Sequence, residues 1–154
     1  VIGMRIAGGL LAVATLAVST ACTTSTPAAH AKAAASAAAS EHPAETLTPL
    51  LQQALPNVKG KTFTSAVVDF PPSARAVPHR HGQAFVYAYV LDGTVRSKLD
   101  GKAVSTYQQG ENWVEPPGAH HVLTENTSRT KPAKLLVVFV SDTGDELKVD
   151  DPRS

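Results

Sequence analysis

VPHRHGQAFVYAYVLDG, residues 77–93, sets two histidines one residue apart at the head of a long alternating apolar run, closed by Asp92-Gly93. In an extended strand, residues two apart project to the same face, with Cα atoms about 6.6 Å apart. Two imidazoles so spaced can reach one ion through metal–nitrogen bonds of about 2.0–2.1 Å. Arg80, between them, points the other way. A solvated surface pair has the same spacing, so His79 and His81 alone leave both readings open. In the run that follows, alternation from Val86 places Ala84, Ala88 and Val90 on its face, leaving the cavity side of this strand small and apolar. Phe85, Tyr87, Tyr89 and Leu91 fall on the other, where their bulk suits a core.

Strand patterns continue on both sides. KTFTSAVVDF (61–70) is β-branched and aromatic and ends at Pro71-Pro72. TVRSKL (94–99) and KAVSTYQ (102–108) flank Asp100-Gly101, a hairpin signal. NWVE (112–115) follows Gly110 and stops at Pro116-Pro117-Gly118; HHVLTEN (120–126) and AKLLVVFVS (133–141) come next. About seven short strands with turn chemistry between them predict an all-β, antiparallel sandwich or small barrel over about residues 60–145. No long helical period follows Leu55, which argues against a parallel α/β fold. Just before the strands, Thr46–Leu55 reads as one short helix. Thr48 would cap it, Pro49 suits its first turn, and Leu47, Leu50, Leu51 and Leu55 form a stripe that would lie over the core.

The chain has 154 residues, 43% hydrophobic and 18% charged, enough for one domain with a real core. Its formal net charge is +1 and falls to zero once residues 1–21 are set aside, so there is no electrostatic footprint for nucleic acid or an anionic membrane. Residues 1–21 read as an export signal: Arg5 is the positive start, Ile6–Val18 is apolar but short for a bilayer span, and Ser19-Thr20-Ala21 are small. Cys22, the only cysteine, follows at once and resembles a bacterial lipoprotein acylation site. The expectation is a mature chain starting at a lipidated Cys22, periplasmic or membrane-anchored. The other reading is plain secretion after cleavage at Ala31. Residues 22–45 are rich in Ala, Ser, Thr and Pro, with no face to bury, and read as a flexible tether. Residues 46–154 would be the folded domain.

Four of the six histidines stand at the starts of two strands: His79 and His81, then His120 and His121 after the rigid PPGAHH turn (116–121). If those strands are neighbours in a barrel, their ends share one mouth. At this point the chain resembles the cupin superfamily, small antiparallel β-barrels of jelly-roll type. The family's first motif is G-x5-H-x-H-x3/4-E-x6-G, matched by His79, His81 and Gly93. Its second is G-x5-P-x-G-x2-H-x3-N, matched by Gly110, Pro116, Gly118 and His121. The likeness spans about Thr62–Ser141. Three positions depart from it. Ser73 stands for the first glycine, Val86 for the glutamate ligand, and Glu125 for the asparagine, with Asn126 one residue later.

The resemblance implies a divalent transition metal (Fe, Mn, Ni, Cu or Zn) on His79, His81 and His121. His120, offset by one, ranks below them. Gln83 and Glu115 are the nearby candidates for a fourth oxygen ligand, with water as the other source. Neutral imidazoles suit these metals, and an open position could bind substrate or oxygen, or activate water. Two functions stay open: a metal-dependent enzyme, oxygenase-like or isomerase-like, acting on a small organic molecule, and a non-catalytic small-ligand-binding protein of the cell envelope. The resemblance leaves room for a homodimer, and contact with a membrane is expected only through the lipid anchor. No nucleophile–base pair or phosphate-cradling glycine loop is visible in the sequence.

Overall fold

The computed structural model describes residues 42–152. The export segment, Cys22 and most of the tether lie outside the described residues. The strands form two five-stranded antiparallel sheets with a jelly-roll arrangement. One sheet runs β1 (Thr46–Ala54), β2 (Lys61–Phe70), β9 (Ala133–Asp142), β4 (Phe85–Asp92) and β7 (Asn112–Glu115). The other runs β10 (Val149–Asp150), β3 (His79–Arg80), β8 (His120–Asn126), β5 (Thr94–Leu99) and β6 (Ser105–Gln108). No helix among the described residues is long and apolar enough to cross a membrane.

The period-two pattern of the sequence becomes the inside and outside of the barrel. Every second residue of β2 from Thr62 to Phe70 is buried, as is every second residue of β9 from Ala133 to Ser141. Phe70, Val86, Val90, Val95 and Phe139 are the largest apolar side chains wholly enclosed. On β4 the small face, Val86, Ala88 and Val90, is the core face. The expectation that Phe85, Tyr87, Tyr89 and Leu91 form core is corrected: they lie on the outer side, and Phe85 is 41% exposed. The narrow barrel has room for Val and Ala inside this strand and leaves the bulky residues outside.

The helix expected over Thr46–Leu55 is absent; those residues form β1, paired antiparallel with β2 from Thr46 opposite Asp69 to Ala54 opposite Thr62. A ten-residue partner strand offers this segment a full ladder, which outweighs a marginal ten-residue helix. Pro49 is tolerated because β1 is an edge strand and its register shifts between Pro49 and Leu51. Leu47 packs against the core, whereas Leu50 and Leu51 are exposed.

The motif departures have local explanations. Along β5 the partner in β8 jumps from Leu123, opposite Lys98, to His121, opposite Leu99, so Val122 is an extra, bulged residue. The bulge lets His121, Thr124 and Asn126 all face inward. Asn126 thereby reaches the interior despite its one-residue offset. Its amide Nδ2 donates to the carbonyls of Phe70, Pro71 and Lys131 (3.2, 3.0 and 2.8 Å), and its Oδ1 accepts from Ser128 N at 2.9 Å. Gly93 carries the chain from one sheet to the other at φ 77°, and a Cβ there would lie 2.8 Å from both Ala133 Cβ and Pro132 O. Ser73 has φ 61°, the left-handed region that favours glycine. Replacing Ser73 by Gly is expected to raise stability by up to about 1 kcal/mol, since relief of the left-handed strain exceeds the added chain entropy. Urea unfolding of the two proteins measures the difference, and a less stable S73G would contradict the account.

Candidate functional site

The site begins with a two-residue strand. β3 pairs with β8 so that His79 lies directly opposite His121, and Arg80 opposite His120. His81 follows on the inward side of the same segment. The rings of His79 and His81 are 4.8 Å apart between centroids, and those of His79 and His121 5.1 Å. One nitrogen from each of the three falls within 4.8 Å of the others. His120 turns outward, and its Nε2 pairs with Asp151 Oδ2 at 2.7 Å.

Two of the imidazoles have their protons placed by backbone. His79 Nδ1 donates to Val77 O at 2.6 Å, and His81 Nδ1 donates to Leu147 O at 2.5 Å. A carbonyl only accepts, so each Nε2 keeps its lone pair. His121 is held at both nitrogens. Nδ1 lies 3.0 Å from Glu115 Oε1, while Nε2 meets Ser97 Oγ at 2.8 Å and Thr124 Oγ1 at 2.7 Å. Hydroxyl, imidazole and carboxylate here stand in the order of a nucleophilic relay. Ser97 is buried and does not line the histidine cavity; its hydroxyl holds the His121 ring.

Glu115 comes from β7, inward beside Trp113, whose indole N–H donates to Oε1 at 3.1 Å. Its cross-strand partner on β4 is Val86, the residue at the motif's glutamate position. The carboxylate thus enters one strand away from that position, on the same inner face. Glu115 is 3% exposed and its Oε2 has no hydrogen-bond partner; His81 Nε2 is 3.6 Å from it. Gln83 is exposed beside Gly118 and does not line the cavity. The donors fit a metal ion: the free Nε2 lone pairs of His79 and His81 and the unpartnered Glu115 oxygen, with His121 beside them able to join once its Nε2 gives up Ser97 and Thr124.

Burial pushes the His79 imidazole down from 6.5 to about 4, against the pull of the Val77 carbonyl and helped by His81 and His121. Burial also lowers His81, opposed by Leu147 O and Glu115. For Glu115, burial works upward, but the hydrogen bond and field of His121, with His81 and Trp113, outweigh it and hold the carboxyl below its usual value.

The histidines and Glu115 line a cavity of about 270 Å3, which Glu45 and Lys148 also line. Lys148 pairs with Glu45 at 2.8 Å and Asp150 at 2.7 Å. Local patterning does not announce Lys148, Leu147 or Glu45, which reach the site from opposite ends of the folded segment. Ser97 and Thr124 read as ordinary strand residues until the register is known.

Residues 66–139 match the family model described as Cupin domain. Solved structures share the fold. The Schizosaccharomyces pombe Cnp3 cupin domain matches at TM-score 0.53 and 16% identity, covering 64% of this chain and 62% of that one. An oxalate oxidase in complex with glycolate matches at 0.54 and 22%, covering 69% and 54%. The DMSP lyase DddQ from Ruegeria pomeroyi matches at 0.56 and 20%, covering 68% and 50%. The chain thus spans between half and two thirds of the length of these structures. Comparison with curated proteins finds no match.

A histidine with a depressed folded-state pKa binds protons more readily once unfolded. Its stabilising contribution is full above about pH 6.5 and drains away as the pH falls toward 4. His81 and Glu115, both lowered, act in the same direction at falling pH. The metal-free protein is expected to lose on the order of 2–3 kcal/mol between pH 7 and pH 4 through His79 alone. Urea unfolding across that range measures the loss, and His79→Gln should flatten part of it.

Proposed function

We propose, from the match of residues 66–139 to the Cupin domain model, that the chain is a metal-binding cupin that uses the cavity to hold a small organic molecule. The observation that carries this is the buried Glu115 carboxylate with an unpartnered Oε2 beside three converging imidazoles. His79, His81 and His121 would hold one divalent transition ion, of Fe, Mn, Ni, Cu or Zn type, with Glu115 as the oxygen ligand. When bound, such an ion supplies a Lewis-acidic or redox-active centre with room for a further ligand.

The protein's own groups do the remaining work. The Val77 and Leu147 carbonyls fix the tautomers of His79 and His81 and turn their Nε2 lone pairs inward. Trp113 N–H and His121 Nδ1 both meet Glu115 Oε1, which leaves Oε2 free. The apolar wall keeps bulk water from the donors and strengthens their electrostatics. An oxygenase-like or isomerase-like enzyme uses this arrangement for turnover; a non-catalytic binding protein uses it only to hold its ligand. Oxygen uptake together with product analysis, by metal-loaded protein with candidate substrates, separates the two. We further propose that the domain works outside the cytoplasm, as a lipoprotein or secreted protein. The support is the short apolar run before Ser19-Thr20-Ala21-Cys22.

Metal analysis of untagged protein, reconstituted with each of the five metals, should give about one ion per chain for at least one of them. His81→Ala should lose most of it, because the remaining donors make a far weaker site. His120→Ala should keep it, since that ring faces Asp151. Glu115→Gln should weaken binding by tenfold or more, and Gln83→Ala should leave it unchanged. No metal in the wild type with any of the five would overturn the reading. Export has its own measurement: the intact mass of the mature chain should correspond to a lipidated Cys22, and an unmodified chain starting at Lys32 would refute lipidation.

A further inference from the structure

Away from the four candidate ligands, the cavity wall is almost wholly hydrocarbon. Leu47, Val68, Phe70, Val137, Phe139 and the ring of Trp113 supply most of it, with Ala88 among the small residues between them. The polar groups that remain are already engaged. The Thr124 hydroxyl bonds His121, the Trp113 N–H bonds Glu115, and Lys148 is shared between Glu45 and Asp150. Lys148 and Glu45, with side chains 26% and 13% exposed, are wetter than the buried His79, His121 and Glu115, which marks their pair as the rim. No cation lining the cavity, among the described residues, is left over for a second anionic group.

Size and charge then narrow the ligand. A cavity of about 150 Å3 lined by Leu, Ile and Phe accepts a benzene ring. The 270 Å3 here holds a ring-sized body together with a metal and a donor head. A divalent ion balanced by Glu115 leaves one positive charge, which a single carboxylate neutralises. A second carboxylate would be stripped of water against Val68, Val137 and Phe139 with nothing to pair with.

Resting on the metal reading above, we infer that the cavity selects a monocarboxylate with an apolar body of about one ring, and rejects small dicarboxylates. The head belongs at the histidine–Glu115 end and the body against the β2 and β9 wall. Ala88 sets the space for that body. The Lys148–Glu45 pair closes the rim without contributing affinity for the anion.

The test uses the full chain loaded with Co2+, whose visible spectrum reports a new ligand on the ion. It is titrated separately with benzoate, acetate and oxalate, and cobalt content is measured after each titration. Benzoate should bind at least tenfold tighter than either of the others. Ala88→Leu should bring benzoate down to the level of acetate while cobalt uptake and acetate binding persist. If that variant does not fold, Val68→Phe makes the same intrusion. Oxalate binding as tightly as benzoate, or acetate within threefold of it, overturns the inference. If neither cobalt nor any of the five metals is taken up, the metal reading fails by itself, and metal-free protein is titrated with cyclohexanol. A saturable change in the fluorescence of Trp113, the only tryptophan, that Ala88→Leu abolishes upholds the apolar chamber; no change overturns it.

Discussion

The pairing of β3 with β8 is only two residues long, yet the site depends on it. By setting His79 opposite His121 it brings together two residues forty-two apart in sequence, and alternation then delivers His81 to the same side. A slip of one residue would turn the imidazoles outward and bring Arg80 in. So short a ladder has little strength of its own. Its register is secured from both flanks, by β10, which pairs with β3, and by the long β5–β8 ladder with its bulge at Val122.

The same barrel interior can be reached by a carboxylate from either of two neighbouring strands. Val86 and Glu115 are direct partners across β4 and β7, and cross-strand partners share a face with their Cβ atoms about 4.5–5.5 Å apart. An acid moved from one strand to the next therefore still reaches the same interior. Burying Glu115 in hydrocarbon alone would be costly; Trp113 N–H and His121 offset that by holding one oxygen. The relocation asks for an indole two residues earlier on the same strand, and the stacking of Trp113 on Tyr107 keeps that indole in place.

Much of this architecture was legible because period-two burial is a local signal. The strands from Lys61 to Ser141 and the shared face of His79 and His81 follow from alternation and turn residues, and the choice of His121 over His120 from the resemblance to the cupin motif. The segment Thr46–Ala54 misled because its leucines also fit a helical stripe, and only the presence of β2 as a partner decides between the two. The outward placement of Phe85 and Tyr87 was hidden for a related reason: alternation separates two faces but does not say which is inside. Glu115 was visible as a nearby acid, but its standing beside Val86 needed the register. The supporting groups, Leu147 O, Ser97, Thr124 and the Lys148–Glu45 pair, belong to contacts between distant segments, and no local pattern encodes those.

The segment Leu147–Asp151 serves several ends at once. Leu147 O sets the tautomer of His81, Lys148 closes the rim, Val149 and Asp150 pair with β3, and Asp151 fixes His120. During synthesis a chain emerges from its N-terminal end, so these residues appear after every imidazole of the cluster. The barrel can gather most of its core before then, with its histidines still free to swing. The tautomer of His81 is thereby settled only when this segment joins β3, after the strands that carry the imidazoles have been made.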